Sequence, residues 1–167
     1  MQKLNPKAVW LFFIIRMWGG LLSLGIIYIF IRQILTGDFF EIDIEKVKTY
    51  MLYLIGVVVI GEFIWAKLTV HFYRYELRED GFRKEHGIIW KKYVTIPYDR
   101  IQNVDIFRGF WARVLGLSDI QIQTAGGITA GSYGAFAEGR LPGVSKEEAE
   151  KIRDELIRRA RTKNQGL

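Results

Sequence analysis

Two long apolar stretches in the first seventy residues constrain the fold more than any other feature of this sequence. Residues 8–31, AVWLFFIIRMWGGLLSLGIIYIFI, hold a single charge, Arg16. A second stretch is uncharged over residues 49–61, and its apolar character continues beyond Glu62. A membrane-spanning helix needs about 20 predominantly apolar residues. Each stretch therefore predicts one spanning helix, although each carries one charge.

The two stretches predict a transmembrane helical hairpin over residues 1–69, with helices at about 8–35 and 46–69. A pair of buried core helices is the alternative, but two such stretches leave too little polar surface for a soluble domain of 167 residues. A cleaved signal peptide is also disfavoured, because its apolar region spans about 7–15 residues and a small-residue cleavage site follows it. A retained anchor fits better.

Charges that flank the hairpin predict its orientation. The connector TGDFFEIDIEK is acidic, whereas basic residues lie before the first helix and after the second: Lys3, Lys7, Lys67, Arg74 and Arg78. Because basic flanks remain on the cytoplasmic side, we expect a multi-pass protein of the cell membrane with both termini in the cytoplasm. This arrangement accounts for much of the formal net charge of +6.

Arg16 and Glu62 are predicted to form an intramembrane pair. A hairpin folded about Phe39 brings residues whose numbers sum to about 78 to similar depth, and these two numbers sum to 78. A lone charge near the bilayer centre costs about 2.5–3.5 kcal/mol on insertion scales, and pairing lowers that cost. A structural pair is the favoured interpretation, and an ion or proton path is the alternative.

Short strands and one helix are predicted from residue 70 to 163, followed by a tail at 164–167. Period-two alternation and turn residues indicate strands in HFYRYEL, in FRKEHGIIW with a break at Gly87, in KKYVTIP, in IQNVDIF and in DIQIQT, with a weak strand near Tyr133–Ala137. In DIQIQT, Ile120 and Ile122 share one face and Asp119 lies on the other.

The last predicted element is an amphipathic helix. Ser145 and Glu148 have the spacing of a capping box, and one apolar face consists of Ala149, Ile152, Leu156, Ile157 and Ala160. Two ion pairs are expected at i,i+4 spacing, namely Asp154–Arg158 and Glu155–Arg159. The predicted fold is thus α+β: a transmembrane hairpin, then an antiparallel β-sandwich or partial barrel capped by a C-terminal α-helix.

The segment IPYDRIQNVDIFRGFWARVLGLSDIQIQTAGG carries a resemblance to a known family. Together with the spacing from Gly87 to Pro97 and the positions of Arg108, Gly109 and Arg113, it resembles bacterial pleckstrin-homology (PH)-like domains of small membrane proteins, the YdbS-like family. The resemblance covers about residues 70–160, and similar members place a transmembrane hairpin before the domain. It implies the PH-like architecture and an adaptor role, and it brings no ligand or catalytic residue.

The segment RGFWARVLG is the candidate contact site of the cytoplasmic domain. It predicts a short helical or irregular corner in which Val114 and Leu115 are buried. Phe110 and Trp111 either pack into the core or insert at the membrane interface, where Trp favours the headgroup region. Arg108 and Arg113 would then meet anionic lipid headgroups at roughly 1 kcal/mol each. We therefore name Arg108, Phe110, Trp111 and Arg113 as candidate membrane-interface residues.

Other chemistry has little support in the sequence. The absence of cysteine excludes disulfides and a thiol nucleophile. No zinc-protease, nucleophile-elbow or phosphate-loop pattern occurs, and His71 and His86 are more simply strand or turn residues. The basic residues Arg83, Lys84, Lys91, Lys92 and Arg100 are interpreted as a solvated face beneath an anionic membrane. We expect no catalytic residue, no cofactor, no metal and no nucleic-acid partner.

These observations predict a non-enzymatic, membrane-anchored module that binds protein or lipid at the cytoplasmic membrane face. Its expected partners are the bilayer, anionic lipid headgroups, and a protein partner or a second copy of the chain. The alternative is a small accessory subunit of a larger transport or secretion complex assembled through the hairpin. A membrane-bound enzyme ranks third, because it would require buried polar residues around one of the two histidines.

Overall fold

The chain forms two compact units in the computed structural model, which describes residues 1–35, 44–124 and 139–165. We call residues 12–67 the hairpin unit. We call Met1–Leu11 together with Leu68–Leu167 the sheet unit. The N-terminal segment therefore belongs to the same unit as the strands that follow the second apolar stretch, which the sequence did not predict.

Two long helices make up the hairpin unit. Helix α1 is Ala8–Leu35 and α2 is Ile44–Phe72. Only 6% of the most apolar window of each helix is buried, whereas a core helix of a soluble protein has most of its side chains buried. Phe13 contacts Phe63, Arg16 contacts Glu62, and a Cβ on Gly20 would contact Val58. Because the residue numbers rise along α1 while they fall along α2, the two helices run antiparallel. The acidic connector lies outside the described residues.

The first antiparallel sheet of the sheet unit has the order β1–β2–β3–β4. Its strands are β1 (Gln2–Lys3), β2 (Arg74–Leu77), β3 (Gly81–His86) and β4 (Lys92–Pro97). The alternation in HFYRYEL correctly predicts a half-buried strand, since Tyr73 and Tyr75 are buried and Arg74 is exposed. Strand β1 is an addition to the prediction. A two-residue strand is too short for its periodicity to be recognised.

The second antiparallel sheet has the order β5–β6–β7. A single 3-10 turn at Tyr98–Arg100 leads from β4 into β5 (Ile101–Phe107). A short helix, α3 (Phe110–Val114), connects β5 to β6 (Leu117–Thr124). The last strand of this sheet is β7 (Gly139–Ser145). Strand β7 was missed because RLPGV holds a proline and a glycine, which are depleted in strands. The weak strand predicted near Tyr133–Ala137 lies outside the described residues.

Helix α4 (Lys146–Gln165) packs against β5, β6 and β7 and closes the core. The Ser145 hydroxyl accepts a hydrogen bond from the Glu148 amide at 3.2 Å, as the capping box predicts. The largest fully buried apolar side chains come from both sheets, the 3-10 turn and α4: Tyr75, Phe82, Tyr98, Leu117, Ile120, Leu141, Val144 and Leu156. The predicted α+β class is confirmed, with two sheets that do not close into a barrel.

Two finer expectations about side chains are wrong. Asp119 is buried rather than on a polar face, because the register between β6 and β7 shifts there, and its carboxylate accepts hydrogen bonds from the Arg140 guanidinium at 2.5 Å and the Gly143 amide at 3.1 Å. Asp154 pairs with its neighbour Arg153 instead of with a residue one turn later. The predicted pair between Glu155 and Arg159 is present at 2.6 Å, and Glu155 also pairs with Arg158.

Candidate membrane-contact site

The segment from the end of β5 to the end of α3 forms an exposed corner of the sheet unit, which we call the α3 corner (residues 107–114). Gly109 precedes α3 in an extended conformation, and the Arg113 amide donates to the Gly109 carbonyl at 2.9 Å, which closes the helical turn. Ala112 is the buried residue of α3 and turns its small side chain inward. The larger side chains of the helix are consequently turned outward.

Four large apolar side chains of the α3 corner are exposed. The exposed fraction is 70% for Phe110, 64% for Val114, 55% for Phe107 and 37% for Trp111. The rings of Phe110 and Trp111 meet edge-on at 5.1 Å. The expected burial of Val114 is therefore wrong, because Ala112 takes the inward position, and Leu115 is half-buried. Contiguous exposed apolar side chains of this kind mark interaction surfaces.

Two arginines border this apolar surface. Arg108 is half-buried, and its Nε donates to the Leu117 carbonyl at 3.2 Å, which ties the corner to the first residue of β6. Arg113 is exposed on α3 itself. The structure thus brings together all four candidate interface residues, with two aromatic rings between two cations.

The candidate pair in the hairpin unit also meets. Arg16 donates from Nε to Glu62 Oε2 at 2.5 Å and from Nη2 to Oε1 at 3.2 Å, a two-point contact. The guanidinium also lies 5.5 Å from the centre of the Trp65 ring, within the range of a cation–π contact. The charge of Arg16 therefore has a carboxylate and an aromatic partner, both on α2.

A second exposed apolar segment was missed by the sequence analysis. It is the turn between β3 and β4, residues 87–91, where the exposed fraction is 70% for Ile89 and 86% for Trp90. The sequence reading assigned GIIW to the end of a strand, since an apolar run favours a buried strand. Gly87, the predicted break, does end the strand with a φ of +117°, and the error lies in continuing the strand beyond it.

The two histidines lie at different places in the sheet unit, each against an aromatic ring. His71 is exposed at the end of α2 and meets the Phe72 ring. His86 stacks on Tyr73 with centroids 5.5 Å apart. Burial, reinforced by Lys84 and Lys92, lowers the pKa of His86 below its ordinary value. Within the described residues, no group of three or more His, Asp or Glu side chains is arranged to hold a metal ion.

One basic residue that was assigned to a solvated face is instead buried. Lys84 is only 5% exposed, and its ammonium donates to the Arg140 carbonyl at 3.0 Å. The same carbonyl accepts a hydrogen bond from the Tyr73 hydroxyl at 2.9 Å. Burial raises the pKa of Tyr73 well above its ordinary value, so the hydroxyl stays a donor. These side chains join the first sheet to β7.

Comparison with known proteins agrees with this architecture. The bacterial PH domain family matches residues 13–160. The chain is 32% identical over 134 residues to the UPF0699 transmembrane protein YdbT of Bacillus subtilis (strain 168), which covers 77% of this chain and 26% of YdbT. It is 29% identical over 103 residues to the UPF0699 transmembrane protein YdbS of the same organism, covering 62% of this chain and 58% of YdbS. No solved structure matches the chain.

The chain spans about a quarter of YdbT and somewhat more than half of YdbS. Both relatives are named transmembrane proteins, in accord with the two apolar helices found here. The family match begins in α1, includes strands β2 to β7 and ends in α4, so it covers most of the chain. This membrane protein therefore belongs to the bacterial PH domain family.

Proposed function

We propose that this protein is a non-enzymatic, membrane-anchored interaction module. Its two helices span the cell membrane, both termini lie in the cytoplasm, and the sheet unit works at the cytoplasmic membrane face. The α3 corner is its lipid-contacting surface, where Phe110 and Trp111 enter the headgroup region and Arg108 and Arg113 meet anionic lipid. In sequence order, we propose a hairpin segment at residues 1–69 followed by a PH-like segment at 70–163, to which the N-terminal strand β1 adds by pairing with β2.

The observation that carries the proposal is the composition of the α3 corner. Four large apolar side chains are exposed there, and Arg108 and Arg113 flank the two aromatic residues of α3. Trp is favoured at the headgroup level, and each cation near an anionic surface contributes roughly 1 kcal/mol. A surface that served only to fold the domain would turn these rings inward, where their burial is worth about 1.5–3 kcal/mol each.

The position of the α3 corner within the sheet unit supports a membrane contact. Leu117, three residues beyond α3, pairs with Ser145 of β7. Two residues before Ser145, the Gly143 carbonyl accepts a hydrogen bond from the Asn5 amide at 3.3 Å. The backbone of Gly143 also packs against Ala8, the first residue of α1. The corner therefore lies a few residues from the point where the chain enters its first apolar helix.

The paired charges of the hairpin unit fit the same account. Arg16 and Glu62 lie inside the two apolar segments Ala8–Phe30 and Glu45–Phe72. We assign them a structural role within the bilayer, because a carboxylate and a guanidinium in two-point contact lower the cost of placing either charge in lipid.

An environment-sensitive label on the α3 corner tests the proposal. The chain has no cysteine, so Val114→Cys in the full-length protein gives one attachment site for an NBD fluorophore. In nanodiscs with anionic lipid, we expect blue-shifted emission that lipids brominated near the headgroup quench strongly. The matched control is Gln102→Cys, an exposed position near the other end of β5, where the label should remain unquenched.

Equal emission and equal absence of quenching at the two positions would contradict the lipid-contact role. Quenching at residue 114 in neutral and anionic nanodiscs alike would support insertion of the aromatic rings but would remove the role assigned to the arginines. A loss of quenching when sodium chloride is raised would be the expected sign that Arg108 and Arg113 contribute through their charge.

A second candidate function is assembly into a larger membrane complex through the hairpin unit. The observation in its favour is that Gly19, Gly25, Gly56 and Gly61 have open space where a side chain would begin. Small residues allow a further helix to approach closely in a membrane. Replacing Gly25 and Gly56 by Leu should abolish co-purification with a membrane partner in this case and leave NBD quenching at residue 114 unchanged.

A further inference from the structure

The β3–β4 turn (residues 87–91) is an exposed apolar tip with a fixed backbone. A Cβ on Gly87 would lie 1.9 Å from the Trp90 carbonyl oxygen, so only glycine allows the turn to close this tightly. Trp90 is 86% exposed, the highest value for a large apolar side chain in the described part of the chain, and Ile89 is 70% exposed. Turns are ordinarily rich in small and polar residues, so this tip requires a reason other than folding.

Strand pairing locates this turn within the sheet unit. Helix α2 ends at Phe72, and β2 starts two residues later at Arg74. Arg74 pairs with Glu85, one residue before the end of β3. Because β2 and β3 are antiparallel, the turn that follows β3 lies at the end of the sheet where the chain leaves its second apolar helix. The Tyr73 ring, which follows α2, stacks on the His86 ring at the end of β3 with centroids 5.5 Å apart, so these two ends lie side by side.

Charged side chains next to the tip suit an anionic surface. Lys91 and Lys92 follow Trp90 directly and are exposed, and Arg74 is exposed at the start of β2. The nearest acidic side chain, Glu85, is largely covered and pairs with Lys91 at 3.6 Å. At a bilayer surface, aromatic rings lie at the headgroup level and cations bind lipid phosphates. An exposed Ile–Trp pair followed directly by cations fits this arrangement.

We propose that the β3–β4 turn is a second membrane-contact site, in which Ile89 and Trp90 insert into the headgroup region of the cytoplasmic leaflet and Lys91 and Lys92 bind anionic lipid. This inference rests on the proposed function, because it requires the sheet unit to lie against the membrane. Two contacts on one compact unit restrict its orientation on the bilayer more than a single contact would.

The test uses the full-length protein in anionic nanodiscs, with an NBD label at Ile89→Cys, Val114→Cys or Gln102→Cys in separate samples. We expect blue-shifted emission and quenching by brominated lipid at residue 89 and none at residue 102. Subtracting the tryptophan emission of Trp90→Phe from that of the wild type isolates Trp90, and that difference should also be quenched. This second readout requires no label and only a conservative substitution.

Each outcome separates the two contact sites. Quenching at residue 114 without quenching at residue 89 or Trp90 would overturn the second contact while leaving the proposed function intact, and it would make the turn a surface for a protein partner. Quenching at residue 89 alone would keep the turn as a lipid contact and remove the α3 corner. The absence of quenching at both positions would overturn both proposals.

Discussion

At the scale of single residues, the arrangement of charge decides whether this chain tolerates a bilayer. Arg16 is the only charge in the first apolar stretch, and Glu62 interrupts the second. The two-point contact between them, beside the Trp65 ring, explains why both remain compatible with spanning helices. Ionisable side chains inside membrane segments pair with one another or with backbone carbonyls, and we propose a structural role for this pair.

A double-mutant cycle on this pair tests that explanation. Arg16→Leu and Glu62→Leu, each alone, leave one unpaired charge and should lower the amount of inserted protein, with a cost of about 2.5–3.5 kcal/mol on insertion scales. The combined variant removes both charges and should recover wild-type levels or better. The measurement is the amount of membrane-integrated protein by fractionation. Accumulation of the double variant no better than that of either single variant would contradict the pairing.

At the scale of elements, the N-terminal segment proves to be part of the sheet unit. Strand β1 pairs with β2, and Leu4 and Ala8 are buried. The N-terminal segment packs closely against Gly143, since a Cβ at that position would lie 2.6 Å from the Ala8 Cβ. A fragment that began at residue 70 would therefore lack a strand and expose part of the core.

Substituting alanine for two glycines separates backbone strain from this contact. Gly116 and Gly143 both have positive φ, +71° and +68°, so an alanine at either position should cost about 1–2 kcal/mol. Only at Gly143 does the new methyl meet Ala8, which should add about 1–3 kcal/mol. Thermal unfolding of the purified protein in detergent, followed by circular dichroism, gives both values. Equal losses of stability for the two variants would show that the contact with Ala8 is unimportant.

The elements that sequence reasoning found are those with long, regular patterns. The two apolar helices, the strand in HFYRYEL and the capping box at Ser145 follow directly from periodicity and spacing. Strands β1 and β7 were missed because one is too short to show a period and the other contains Pro142 and Gly143. The strand propensity of their own residues is low, and both strands form because they pair with a neighbouring strand, β1 with β2 and β7 with β6.

The candidate site was predictable only in part, for a related reason. The composition RGFWAR identified a corner with aromatic and basic residues, but not which side chains face inward. Ala112 takes the buried position of α3, which leaves Phe110 and Val114 outside. The exposed turn at Trp90 was interpreted as strand, because an apolar run alone does not distinguish a buried strand from an exposed tip.

At the scale of the whole molecule, the protein is a member of the bacterial PH domain family with two apolar helices long enough to cross a membrane. Helix α1 begins at Ala8 and α2 ends at Phe72, and both of these helix ends belong to the sheet unit. Its two exposed aromatic segments lie close to these helix ends. The α3 corner is a few residues from Ala8 by way of the pairing of β6 with β7. The β3–β4 turn is a few residues from Phe72 by way of the pairing of β2 with β3. We propose that the sheet unit itself recognises the anionic membrane surface.

Vesicle flotation of the sheet unit alone tests this claim most directly. The protein for this measurement joins residues 1–11 to residues 68–167 through a flexible linker, which keeps β1, and circular dichroism first establishes that it is folded. We predict flotation with anionic vesicles that decreases in high salt, is weak with neutral vesicles, and is lost when Trp90 and Trp111 are both replaced by Ser. A folded sheet unit that floats with neither kind of vesicle would contradict the account.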